Sequence, residues 1–125
     1  MCVHKKTCPQ TLILEHNGDA YPCDFFMSDE YKAGNVGTDS LDDILSSVVY
    51  KRFLGMKPTL PHKCKVCKFQ RLCHGGCPRN RRWGAVEDDV DVDYFFESYL
   101  QVYSYAHERM EHLAKRIKTS DFSNT

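Results

Sequence analysis

Cys64, Cys67, Cys73 and Cys77, four of the chain's seven cysteines, fall within one fourteen-residue stretch with the spacing C-x2-C-x5-C-x3-C. Thiolates are soft anionic donors, and at this spacing several can converge on one or two metal centres without a long intervening fold. Structural zinc and iron-sulfur clusters both use such thiolates, so the spacing points to metal and leaves its identity open. His62 and His74 flank the stretch and could ligate zinc where the thiolates fall short. The odd cysteine count and the close C-x2-C pair argue against a disulfide framework.

The same stretch is basic. From Lys57 to Val86 there are eight cations (Lys57, Lys63, Lys65, Lys68, Arg71, Arg79, Arg81, Arg82) and no Asp or Glu, after which Glu87, Asp88, Asp89, Asp91 and Asp93 restore a net charge of zero. One reading is a nucleic-acid patch; the other, which needs no extra partner, is compensation of anionic thiolate centres. Gly75 and Gly76, just before Cys77, permit unusual dihedrals and close backbone approach, with N–H groups available to sulfur, or else form a plain turn.

The elements that must position these groups are few. A chain of 125 residues, 42% hydrophobic and 27% charged, is one globular domain with a modest core, and metal should help order its middle. No apolar run is long enough to span a bilayer and no signal-peptide region follows the N-terminus, so a cytoplasmic chain with no membrane partner is expected. Thr11–Glu15 and Ala20–Cys23 flank Asn17-Gly18 and read as a hairpin with a two-residue turn, which folds Cys23 back toward Cys8. Residues 25–37 read as loop. Ser40 then caps one helix through Leu41, Ile44, Leu45, Val48, Val49 and Phe53, stopped by Gly55 and Pro58. Residues 58–84 read as short turns and a helical fragment around metal. A long last helix, opened by Asp91 and Asp93, carries Phe96, Tyr99, Leu100, Tyr103, Ala106, Met110, Leu113 and Ile117 on one face and should be the scaffold for the loops. The fold class is α+β: an N-terminal hairpin, a middle helix, cysteine-rich loops and a long C-terminal helix over residues 1–118, with 119–125 a frayed tail.

Placed together, the cysteines read C-x9-G-x4-C across Cys8, Gly18 and Cys23, then C-x2-C-x5-C-x3-C from Cys64 to Cys77. This resembles the SPASM domain, the auxiliary-cluster domain at the C-terminus of many radical S-adenosylmethionine enzymes. Tyr21-Pro-Cys-Asp-Phe25, Gly34-Asn35, Arg71-Leu-Cys-His-Gly-Gly-Cys77 and Pro78-Arg-Asn-Arg81 look most like the anaerobic sulfatase-maturating enzymes. The resemblance covers nearly the whole chain.

It implies two 4Fe-4S clusters, one on Cys2, Cys8, Cys23 and Cys77 and a second using Cys64, Cys67 and Cys73. The reaction it implies oxidises a Cys or Ser of a sulfatase polypeptide to formylglycine: a 5′-deoxyadenosyl radical takes hydrogen from Cβ, a base takes the thiol or hydroxyl proton, and one electron leaves. The residue after the third cysteine, here Asp24, is the base the resemblance implies; beside Phe25 and Phe26 it would be partly desolvated. An aspartate that merely caps a turn is the plainer reading of the same residue.

Two departures stand out. Phe96 occupies the place of the cysteine expected to complete the second cluster, in Tyr94-Phe-Phe-Glu-Ser-Tyr99, so either Glu97, Asp93, His74 or an exogenous group completes it, or that cluster is labile, or zinc takes its place. The chain also has no C-x3-C-x2-C motif for a SAM-binding cluster. It therefore cannot generate the radical alone and is expected to be part of a larger enzyme whose radical SAM domain is its partner. The competing class is a structural zinc module for protein or nucleic-acid interaction, built on Cys64, Cys67, Cys73 and either Cys77 or His74; it leaves Cys2, Cys8 and Cys23 without a role, and a nucleic-acid partner is not expected.

Overall fold

The N-terminal hairpin sets the position of the first cysteines. The computed structural model describes residues 2–84 and 90–121, with side chains through 118. Strand β1 (Ile13–Leu14) pairs antiparallel with β2 (Asp19–Tyr21), Ile13 opposite Tyr21 and Leu14 opposite Ala20. The connection differs from the two-residue turn expected of Asn17-Gly18. The Gly18 N–H donates to the Glu15 carbonyl and the Glu15 N–H to the Asp19 carbonyl, each at 2.9 Å, and of the loop residues only Gly18 has a positive φ, 88°. This is a three-residue loop closed by a glycine bulge. Asn17 explains the difference: its Oδ1 accepts the Asp19 N–H at 3.0 Å, the local side-chain bond that turns favour, without Asn17 itself turning left-handed.

A third strand, β3 (Gly34–Asn35), pairs antiparallel with β2 in the order β1-β2-β3, inside the segment expected to be loop. Two residues carry no periodicity, so side-chain bonds have to specify the pairing. Asn35 Nδ2 donates to the Asn17 carbonyl at 3.0 Å and to Asp19 Oδ1 at 2.9 Å, while its N–H donates to Asp39 Oδ2 at 2.8 Å. Lys32 Nζ lies 2.6 Å from Asp19 Oδ1. The Lys32 and then the Asn35 hydrogen bonds hold the Asp19 carboxyl below its usual range.

The middle helix is two helices. Ser40 Oγ accepts the Asp43 N–H and caps α1 (Leu41–Ser46); Ser47, at ψ 152°, breaks the run and caps α2 (Val48–Met56) by accepting the Tyr50 N–H. The break rotates the second half, so the single stripe expected through Val48 does not form. Val48 is exposed, whereas Ile44, Tyr50, Phe53 and Met56 are buried. Phe26, Phe53 and Met56 form the core cluster, with Cys8, Cys23, Tyr31, Leu54 and Trp83 packed against it. Phe26 meets Tyr31 and Phe53 edge-on, at centroid distances of 4.7 and 5.2 Å. Tyr50 donates to the Thr11 carbonyl at 2.7 Å and ties α2 to the segment after Cys8.

Residues 58–84 hold two one-turn helices, α3 (His62–Lys65) and α4 (Gln70–Cys73), and a 3-10 turn at Pro78–Asn80, as expected of a loop-rich segment. The chain divides into two compact units after Tyr94. The second contains α5 (Phe96–Asp121), which begins after Asp91 and Asp93 and has only Glu97 as a first-turn acid. Those two aspartates are not the opening turn of this helix because both act earlier: Asp91 faces Arg82 at 3.8 Å, and Asp93 is buried against the Cys77 backbone. The helix continues to Asp121, past the expected start of the frayed tail at 119; residues 122–125 of that tail, and Glu87, Asp88 and Asp89, lie outside the described residues. Met110, Leu113 and Ile117 on its expected apolar face are exposed.

Because Ser47 starts a helix in mid-sequence, its hydroxyl is worth a full cap. Ser47→Ala should lower the unfolding free energy by about 1 kcal/mol and Ser47→Gly by only a few tenths, read from denaturant midpoints at equal metal loading.

Candidate metal centres

All seven cysteines are free thiols. Burial raises the Cys8 thiol above its ordinary range; the nearby Lys57 charge opposes this, and Cys77 and Cys2 add to it. Burial likewise pushes Cys23 up to about 11, opposed by a backbone hydrogen bond at Phe25 and assisted by Asp24 and Cys77. Cys64 is raised by burial, opposed by Arg81, with Cys73 and Cys67 acting on it. Cys77 and Cys2 thus act on Cys8, Cys77 on Cys23, and Cys73 and Cys67 on Cys64.

Cys8 and Cys23 both pack against the Phe26–Phe53–Met56 cluster. Cys64 is buried in α3, Cys73 closes α4, and Cys77 begins the turn into Pro78. His62 is exposed and His74 half-buried. Among the described residues, no three His, Cys, Asp or Glu side chains approach closely enough to enclose a single ion.

Two cations near the cysteines are buried, Lys57 at 1% and Arg81 at 4% exposure. Burial lowers the pKa of both; the charges of Cys8, Cys77 and Cys73 oppose this at Lys57, and those of Cys64, Asp93, Cys77 and Cys8 at Arg81. Neither forms a salt bridge with a described residue, and both are satisfied by carbonyls. Lys57 Nζ donates to the carbonyls of Val3, at 2.6 Å, and Gly76. Arg81 donates through Nε to Gly75 at 3.0 Å, through Nη1 to Thr59 at 2.7 Å and Met56 at 3.1 Å, and at 3.3 Å to Lys57 and His74.

The backbone that receives them is unusual. His74, Gly75 and Gly76 have φ of 51°, 73° and 68°, three left-handed residues in succession. This conformation turns three consecutive carbonyls onto Lys57 and Arg81. Of the two readings of the Gly-Gly pair, the unusual dihedrals are present, and here the carbonyls face the cations. The next amide, Cys77 N–H, donates to Asp93 Oδ2 at 2.8 Å.

Two buried cations among carbonyls, with Asp93 the only carboxylate acting on Arg81, would be costly unless negative charge stood beside them. Thiolates binding a net-anionic centre supply that charge, so the donor set fits an iron-sulfur cluster. The remaining basic residues of the segment, Lys63, Lys65, Lys68, Arg71, Arg79 and Arg82, are exposed.

Asp24 is exposed, not desolvated as expected, and accepts from Cys23 Sγ at 3.3 Å. Only Phe26 of the neighbouring aromatic pair enters the core; Phe25 stays half-exposed beneath the Arg79 guanidinium, 4.7 Å from its ring centre. Asp24 opens on a cavity of about 500 Å³ whose wall includes Phe25, Met27, Tyr31, Arg79 and Trp83.

The burial of Lys57 and Asp93 escaped the sequence reading. Lys57 left a signal, since it stands four residues after Phe53 and seven after Tyr50 and so continues the buried face of α2. Asp93 left none: the amide it caps is sixteen residues away.

These features define an iron-sulfur cluster-binding domain, and the comparisons with known proteins agree. The SPASM family model, described as an iron-sulfur cluster-binding domain, matches residues 3–68, and the chain belongs to this family. The match includes Cys8, Cys23, Cys64 and Cys67; Cys2, Cys73 and Cys77 lie beyond it. The chain is 30% identical over 117 residues to the cysteine-type anaerobic sulfatase-maturating enzyme of Clostridium perfringens (strain 13 / Type A), covering 94% of this chain and 31% of that protein. It is 32% identical over 118 residues to the serine-type anaerobic sulfatase-maturating enzyme of Bacteroides thetaiotaomicron, covering 94% and 28%. The solved structure of native anSMEcpe with bound AdoMet and Cp18Cys peptide matches with a TM-score of 0.81 at 29% identity, over 94% of this chain and 32% of that one. The chain thus spans less than a third of the length of these relatives. No described helix is long and apolar enough to cross a membrane.

The left-handed turn yields a paired test. A Cβ on Gly76 would overlap the Asp93 carboxylate, at a φ that L-residues avoid, whereas a Cβ on Gly55, inside α2, meets nothing within 4 Å. Gly76→Ala should destabilise the protein by more than about 2 kcal/mol and reduce its iron content. Gly55→Ala should stabilise it by about 0.5–1 kcal/mol. Thermal melting with iron analysis of both variants reads the contrast.

Proposed function

We propose that this chain is the auxiliary cluster domain of a radical SAM enzyme that oxidises a Cys or Ser of a sulfatase polypeptide to formylglycine. The observation that carries the reading is the pair of buried cations, Lys57 and Arg81, on whose charges Cys8, Cys64, Cys73 and Cys77 act. Cys2, Cys8, Cys23 and Cys77 would hold one 4Fe-4S cluster, and Cys64, Cys67 and Cys73 the other. The relatives support the reaction class, and they include both cysteine-type and serine-type enzymes, so the reading covers either target.

Bound clusters supply one-electron acceptors for the oxidation, with potentials set by charge and hydrogen bonds around the sulfurs. The chain's own groups do the rest. The cavity beside Asp24 receives the substrate segment, with Phe25 and Trp83 as apolar walls and Arg79 at its edge. Asp24 accepts the proton of the substrate thiol or hydroxyl. Asp24 Oδ1 lies 3.3 Å from Cys23 Sγ, so the proton acceptor stands beside a thiol that would hold the first cluster. Phe96 carries no donor atom, so a group other than the seven cysteines completes the second set. The missing radical source lies in a partner domain that carries the SAM-binding cluster.

Asp24→Asn tests the assignment in the full-length enzyme. Formylglycine formation, measured by peptide mass spectrometry, should fall at least a hundredfold, in line with the usual contribution of a general base, while iron and sulfide content stay at the wild-type level. Unchanged turnover would remove Asp24 from the mechanism.

A further inference from the structure

Lys57 stands out as a buried charge that the proposed reaction does not use. It is the last turn's continuation of the buried face of α2, so its ammonium is carried inward by Tyr50 and Phe53 rather than placed by a loop. Its hydrogen bonds reach two separate segments. The Val3 carbonyl follows Cys2, and the Gly76 carbonyl precedes Cys77, seventy-odd residues later in the sequence. One ammonium therefore joins the two ends of the thiol set whose other members, Cys8 and Cys23, are already fixed by the hairpin. Cys8, Cys77 and Cys73 all act on the Lys57 charge, and the first two belong to this thiol set. Exposed lysines beside the cysteines, such as Lys65 between Cys64 and Cys67, have the same formal charge but are bathed in water and screened by salt.

We propose that Lys57 is a positioning residue for the centre held by Cys2, Cys8, Cys23 and Cys77: it clamps the Cys2 segment to the Cys77 turn, and its buried charge raises that centre's reduction potential. The inference rests on the cluster reading above. The physical basis is that reduction adds one negative charge to the centre, and a cation held close in a poorly solvated place stabilises the reduced form far more than a solvated one does. The clamp and the charge are properties of the same atom, yet they separate experimentally, because a neutral donor such as glutamine retains part of the clamp and none of the charge.

The test is a dithionite titration, with mediator dyes and followed by EPR, of the full chain reconstituted anaerobically with iron and sulfide, the relevant signal being the one lost in Cys8→Ala. In Lys57→Gln the reduced fraction at a fixed poise should fall at least tenfold, which is a downward shift of about 59 mV for a one-electron couple. Lys57→Arg should restore the wild-type midpoint, and Lys65→Gln should leave it nearly unchanged. A Lys57→Gln midpoint equal to wild type, or a Lys65→Gln shift as large as that of Lys57→Gln, overturns the proposal. If Lys57→Gln fails to retain iron, Lys57→Arg decides: retention of iron at the wild-type midpoint supports the charge, and loss of iron to the same extent overturns it. A wild-type chain that takes up no iron fails the cluster reading itself, a result distinct from any difference among the variants.

Discussion

The structure turns on the placement of two cations in the interior of a small domain. An ammonium and a guanidinium buried to 1% and 4% exposure cost several kcal/mol each to desolvate, and carbonyl hydrogen bonds return only part of that. The rest is met by the thiols that act on them: Cys8, Cys73 and Cys77 at Lys57, and Cys8, Cys64 and Cys77 at Arg81. This is a mutual dependence: thiols raised by burial need a nearby positive charge to ionise onto metal, and the cations need the resulting negative charge to remain buried. Each half is unfavourable alone, and the pair specifies one arrangement of loops that have little apolar surface to order them.

The left-handed run at His74, Gly75 and Gly76 is the backbone counterpart of the same constraint. Three carbonyls in succession can face one side only if the chain takes dihedrals that cost L-residues energy, and two of the three positions are glycine. The third, His74, is held there by the helix end before it and the Arg81 bond after it. Asp93 finishes the turn by accepting the Cys77 amide.

The sequence made the cysteines, the hairpin and the long helix legible because each has a local cause: thiol spacing, a glycine turn, a repeating apolar face. What stayed hidden was decided by single long-range contacts. β3 exists because Asn35 bonds to Asn17 and Asp19; the split of the middle helix depends on one serine choosing a cap over a helical position; and Asp93 reads as the opening acid of a helix until the distant Cys77 amide claims it. Asp24 illustrates the opposite error, since a carboxylate beside two phenylalanines suggests a dry site, yet only Phe26 turns inward and the carboxylate stays in water. The division of the cysteines into sets came from the resemblance, because C-x2-C-x5-C-x3-C alone is equally consistent with one site.

The central claim is that these thiols hold iron-sulfur clusters, and anaerobic reconstitution of the full chain followed by iron, sulfide and zinc analysis with Mössbauer spectroscopy tests it most directly. The account predicts at least about four iron and four sulfide per chain, with the 4Fe-4S signature, and further iron in a second, more easily lost centre. Colourless protein that holds stoichiometric zinc and no sulfide after the same treatment would contradict it.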